Sequence, residues 1–341
     1  MAFDYISPRS WTFKRPFHIE ALNKMPLDLM TADIVDEITL AIDELWGIDT
    51  ENWRPVMTGT MNETISRITN RVFVGGSLCR DRTYIKYARK FINSIVASAY
   101  IIRVLIPPLL RPILAPIVAL PCRYFDWRCS RYIVPIVKER LKAAQKVEEV
   151  KNVPEHEQPK EMLQFIARYA VRSNVDSDKD PRSICSRVLF LNFVGIHTST
   201  ITMLNALLDI MAHGAKEDVL GQIRKEAVEV LKENDGVWSK SAVGRLVKND
   251  SAFRESLRLS AFKGRGVGRQ VVAPEGVALP DGTYLPKDTR VGVPMTEIHA
   301  DETFYSDPGS FQAFRFEERR ELGMVVANEQ FISFGLGRHA W

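Results

Sequence analysis

F-I-S-F-G-L-G-R-H-A-W, Phe331 to Trp341, is the stretch on which the fold turns. Gly335 and Gly337 let a tight loop pass close to a bulky partner, behind Phe334 and ahead of Arg338 and His339. Such a loop suits a flat anionic ligand. The residue after Ala340 is Trp341, whose indole nitrogen offers a donor N–H and no in-plane lone pair.

Moving outward, the phrase H-A-D-E-T-F-Y-S-D-P-G-S-F-Q-A-F-R-F carries Arg315. Before it, short strand-like runs separated by P-E-G and P-D-G turns occupy Val271 to Val293. S-A-F-R-E-S-L-R-L-S contains Glu255 and Arg258, which lie three apart on one helical face and can form an ion pair. Further back, Ser183 to His213 reads as a long apolar helix with V-G-I-H-T-S-T at its middle. A glycine there costs about 1 kcal/mol relative to alanine, so Gly195 needs an offsetting gain. His197 can shuttle protons near neutral pH, and it can equally be a histidine satisfied inside a packed core.

Taken together, G-x-H-T, E-x-x-R, A-F-R-F and F-G-x-G-R-H-A, in that order, resemble the cytochrome P-450 superfamily in its fungal wording. The resemblance implies a mainly α fold with small β-sheets, a single domain over residues 1–341, incomplete at both ends, and a haem cofactor. It also implies that Phe334, Gly335, Gly337, Arg338 and His339 lie on the cofactor side of the loop. In the family, the residue after the alanine is the cysteine whose thiolate binds iron; here it is Trp341. Gly195 corresponds to the dioxygen groove, and Thr198 to the hydroxyl that passes protons. His197 stands where Asp or Glu is usual. Arg315 is expected to join Glu255 and Arg258 in a buried network that supplies geometry more than energy. Trp11 and Arg15 spell the W-x-x-x-R of a haem-propionate helix, a pattern that an exposed tryptophan near a terminus also produces.

Elsewhere, Thr31 is the expected N-cap of a helix carrying Ile34, Val35, Ile38, Ala41, Ile42 and Leu45, with Gly47 at its end. A helical run through Met61, Ile65 and Ile68 leads into N-R-V-F-V-G-G-S-L-C-R, Asn70 to Arg80. That wording and K-G-R-G resemble relatives that oxidise terpenoid and indole-terpenoid skeletons. Ile92 to Leu120 is long enough to span a bilayer, but it carries Arg103 and Arg111 and is broken by Pro107, Pro108, Pro112 and Pro116. Two helices joined by a proline-rich turn are expected, either as core helices or, as in the family, as a substrate roof that touches the membrane surface. Further helices are expected from about Arg131 to Val150 and from Val219 to Glu233.

The 341 residues are 45% hydrophobic and 26% charged, enough for a large core. The net charge of +4 comes from scattered basic residues, which argues against a nucleic-acid partner. Cys79, Cys122, Cys129 and Cys185 form no C-x-x-C pattern and follow no secretory segment, so free thiols in a reducing compartment are expected.

The resemblance therefore implies a fungal haem-thiolate monooxygenase that inserts an oxygen atom from dioxygen into a hydrophobic secondary metabolite, with electrons from an NADPH-cytochrome reductase. The intact relative would sit at the endoplasmic reticulum membrane. This sequence shows no anchor before its first helices, which points to a cytoplasmic or peripheral membrane location, and Trp341 reads as an early stop or a misread splice junction. The alternative is an inactive chain that lacks the iron-ligating cysteine and at most binds a hydrophobic ligand or a partner. His339 as a substitute iron ligand is a minor variant of the first reading.

Overall fold

Thr31 to Leu45 forms helix α1, whose inward face carries Glu37 and Ala41. The computed structural model describes residues 25, 27–49, 51–52, 55–150, 159–214, 217–261, 264–319 and 322–337. Trp11, Arg15, Lys263, Arg338, His339 and Trp341 lie outside them. Met30, not Thr31, holds the N-cap position, because a short 3-10 turn over Leu27–Met30 feeds straight into the helix. Gly47 closes it, with φ at +88° and its N–H bonded to Ile42 O at 3.1 Å.

The described chain divides into two compact units, one ending at Thr200 and the other beginning at Ile201. In the first, α1 packs on α2 (Thr58–Val74) through a buried charge cluster. Glu37 is fully buried and accepts from Arg67 Nε and Arg80 Nε, each at 2.7 Å. Burial opposes its charge, but the hydrogen bonds from Arg80 and Arg67 prevail and hold the carboxyl below its ordinary value. Beside it, burial and the negative charge of Glu37 push the Cys79 thiol up to about 12.

Asp81 caps α3 (Arg82–Tyr100), accepting from the N–H groups of Thr83 and Tyr84 at 2.8 Å. A π-turn at Ile101–Leu105 and a 3-10 turn at Pro108–Leu110 absorb the proline break before α4 (Arg111–Val118). The next helix begins earlier than its charged half suggests. α5 runs from Leu120 to Val150 and keeps Pro135 inside it. It packs on α3 and on α6 (Met162–Arg172). Ile92, Ile95, Ile133, Val137, Leu163 and Val188 are at the centre of this core.

The longest helix, α7, spans Pro181–His213. By length and composition it could cross a membrane, yet 56% of its most apolar window is packed inside the protein. One polar cluster ties it to the core. Asn70 Oδ1 accepts from Tyr84 Oη at 2.9 Å and from Asn192 Nδ2 at 3.0 Å, joining α2, α3 and α7.

In the second unit, α8 (Val219–Lys232) packs against α9 (Val247–Leu259), and Glu226 accepts the N–H groups of Lys248 and Asn249 at the start of α9. Two antiparallel ribbons follow. Strand β1 (Arg265–Gln270) pairs with β4 (Arg290–Pro294), and β2 (Val277–Ala278) with β3 (Tyr284–Leu285). β1 lies before the strand-like runs read from sequence, in a glycine-rich segment that bulges between Gly266 and Arg269. The P-E-G and P-D-G turns hold Gly276 at φ +76° and Gly282 at φ +88°. After the short helix α10 (Met295–His299), residues 301–319 and 322–337 are turns and loops pinned to α9 by side chains.

Candidate functional site

Helix α7 carries the first group of residues. Thr198 Oγ1 donates to Val194 O at 2.8 Å, the usual resting bond of a helical threonine, which leaves its lone pairs open. His197 is half-buried and meets the Phe193 ring edge-on at 6.4 Å. Its Nε2 is sealed from solvent without a hydrogen-bond partner, and burial lowers the ring's pKa. The imidazole is therefore neutral at neutral pH, carrying a proton on one nitrogen and a lone pair on the other. Gly195 faces α2, against Thr69 and Phe73. A β-carbon there would meet both at ordinary van der Waals distance, so that side has room for a methyl group.

The second group, in the other unit, gathers around α9. Arg258 grips Glu255 in a bidentate pair at 2.8 Å and 2.8 Å, and Arg315 Nε reaches the same Oε1 at 3.0 Å. Glu255 and Arg258 are buried. The spare donors of Arg258 go to the carbonyls of His299 and Pro308, and those of Arg315 to Ser306, Asp307 and Ser310. Each guanidinium therefore fixes backbone as well as charge, satisfying the hydrogen-bond demand of a buried ion cluster.

Four residues that lie within the quoted phrases but are not singled out by them hold the C-terminal loop on α9. Arg254 donates to Gly323 O at 2.7 Å and Val326 O at 2.8 Å, and its guanidinium lies 3.8 Å over the Phe331 ring. Ser333 donates to Leu257 O, and Tyr305 to Gln330 O. His299 accepts from Ile332 N–H at 3.0 Å. His299 and Tyr305 fall within the phrase read only for Arg315, and their lone positions give no periodic signal. Beyond these anchors the loop opens. Gly335 and Gly337 have φ of +88° and +81°, and a β-carbon at Gly337 would meet nothing within 4 Å. Phe334 is half-buried behind them.

Gly337 leaves open space beside this loop, but a thiolate-bound iron does not fit the donors present. All four cysteines lie at or before position 185 and are buried as free thiols in the first unit. No group of three or more His, Cys, Asp or Glu that could hold a metal ion occurs among the described residues. A separate cavity of about 580 Å³ opens between α8, α9 and Phe316, Glu317, Arg319 and Gly323. Its carboxylates already have work, with Glu226 holding the start of α9, Glu233 paired with Arg245 and Glu317 with Lys248.

Residues 5–340 match the family model described as cytochrome P450. The cytochrome P450 monooxygenase gloP of Glarea lozoyensis is 33% identical over 338 residues, covering 92% of this chain and 61% of its own length. htyF of Aspergillus rugulosus is 29% identical, covering 92% and 48%, and polB of Polytolypa hystricis is 28% identical, covering 92% and 62%. Among solved structures, retinoic acid-bound cyanobacterial CYP120A1 aligns with a TM-score of 0.63 at 17% identity, over 98% of this chain and 66% of that one. The chain thus spans about half to three-fifths of the length of these fungal relatives.

Proposed function

Because the chain belongs to the cytochrome P450 family, we propose that it is the central part of a fungal monooxygenase acting on a bulky hydrophobic secondary metabolite, with terpenoid or indole-terpenoid skeletons favoured. The observation that carries this reading is the Glu255–Arg258 pair, buried on the helix to which the glycine loop is anchored and joined there by Arg315 from the turns that follow. Haem would supply the oxygen chemistry, and an NADPH-fed reductase the electrons. Within the chain, Thr198 Oγ1 holds a transferable proton, and the neutral ring of His197 offers a second site for one. Phe334, Gly335 and Gly337 present a surface open to a flat ring, with Arg338 and His339 following in sequence.

We also propose that the intact protein sits at the endoplasmic reticulum membrane and that residues 92–120 of this chain touch the lipid surface. Leu109, Ile113 and Ile117 are 91%, 67% and 58% exposed there, beside Arg103 and Arg111, with no carboxylate between Ile92 and Leu120. Trp341 favours a second reading for the polypeptide as written, that of a hydrophobic-ligand or partner-binding protein without oxygenase activity.

A haem titration of the purified chain and of Trp341→Cys separates the two. A thiolate-type Soret band in Trp341→Cys, with turnover of terpenoid candidates once reductase is added, supports the monooxygenase reading. Two colourless proteins that still bind hydrophobic ligands support the other.

A further inference from the structure

His299 ends α10 and is almost fully buried. Its Nε2 accepts from Ile332 N–H at 3.0 Å, and its Nδ1 lies 3.1 Å from Arg258 O. A carbonyl oxygen can only accept and an amide N–H can only donate, so these partners fix the ring as the neutral tautomer protonated on Nδ1. The ring also stacks on Phe331, with centroids 5.4 Å apart and planes 14° apart. One imidazole thus joins α9 to the loop with both nitrogens and one face.

We propose that His299 is the positioning residue of the Phe331–Gly337 loop, clipping it to α9 only as the neutral Nδ1–H imidazole, and that a proton added at Nε2 releases the loop. The added N–H would face the N–H of Ile332, turning a hydrogen bond into a repulsion. The charged groups around the ring do not offset the new charge. On α9, the guanidiniums of Arg254 and Arg258 oppose it, and the Glu255 carboxylate is already engaged by Arg258, Arg315 and Gln312 N–H. From the turns, Tyr305 directs its hydroxyl to Gln330 O, and Asp301 is held by Thr303. On its own helix, Glu297 bonds to Thr296. Burial, then the two arginines, lower the His299 pKa from 6.5 to about 4, against the opposing pull of its bond to Arg258 O. Released, the ring regains its ordinary value, so one proton links loop opening to pH between those limits.

The clip belongs to the chain alone and needs no haem, so its failure would leave the oxygenase reading intact. Hydrogen exchange on the full chain tests it, comparing residues 328–337 with α9 at pH 7 and pH 5. After correction for intrinsic exchange, loop opening rises by up to about tenfold per pH unit as the pH falls below 6.5, while α9 stays protected. His299→Gln keeps an acceptor for Ile332 N–H without titrating, and removes the rise. Loop opening that is flat with pH, an equal rise in His299→Gln, or opening of α9 together with the loop overturns the clip. Nitrogen NMR of the wild-type imidazole gives an answer that needs no variant. The proton is expected on Nδ1 from pH 7 to pH 5, and an Nε2–H tautomer or an ordinary titration near 6.5 overturns the proposal.

Discussion

A β-carbon placed on Gly195 would stop 3.5 Å from Cγ2 of Thr69, at ordinary van der Waals distance. The approach of α7 to α2 therefore leaves a gap wide enough for a methyl group at this position. Gly195→Ala is expected to fold and to gain up to about 1 kcal/mol from helix propensity, read as a raised urea midpoint. Gly195→Leu has no such room and is expected to lose about 1–3 kcal/mol by overpacking. A stable Leu variant would show that α2 is not held against this face.

Glu255 serves two guanidiniums with one carboxylate. Glu255→Gln leaves Arg258 buried without its counter-charge and is expected to cost about 3–5 kcal/mol. Adding Arg258→Met to the same chain is expected to cost less than the two single changes summed, since each removes what makes the other harmful. Additive losses in denaturant unfolding would count against a coupled cluster.

The Glu255 spacing could be read in the sequence because an ion pair three residues apart on a helix has a fixed geometry. The same holds for Gly47 as a helix stop and for the P-E-G and P-D-G turns. The start of α5 was hidden by Pro121 and Pro135 and by apolar residues shared with the stretch before it, so periodicity alone pointed to Arg131. β1 was hidden because R-G-V-G-R-Q has almost no strand-forming residues, and its pairing with β4 supplies what propensity does not. Arg254, His299, Tyr305 and Ser333 were illegible for another reason. Their roles lie in contacts with carbonyls and amides that only the folded chain brings near.

The thiols give a chemical check. Cys79 is raised to about 12, and burial raises Cys129 and Cys185 as well. Thiolate is the reactive form, so iodoacetamide at pH 8 is expected to leave these three unmodified in the folded chain, and to label all four cysteines after denaturation. Rapid labelling of Cys129 or Cys185 in native protein, seen by mass spectrometry, would place them outside the core.

Acid should loosen the first unit through Glu37. Its folded pKa lies below the ordinary 4.5, so the stabilisation is fully present above pH 4.5 and fades as pH falls below it. Unfolding of α1 and α2, followed by hydrogen exchange, is expected to steepen below pH 4.5 and to lose most of that steepness in Glu37→Gln. Unchanged acid sensitivity in the variant would assign the effect to other carboxylates.

Asn70, Tyr84 and Asn192 sit among residues that would pack acceptably in several alignments. Moving α7 along its axis by a single turn would carry Asn192 about 5.4 Å from Asn70 and leave amide groups facing hydrocarbon. The three helices accordingly share one admissible register, written in two amides and a phenol. An otherwise greasy rod of 33 residues is thereby prevented from sliding, and the height of Thr198 along it is set at the same stroke.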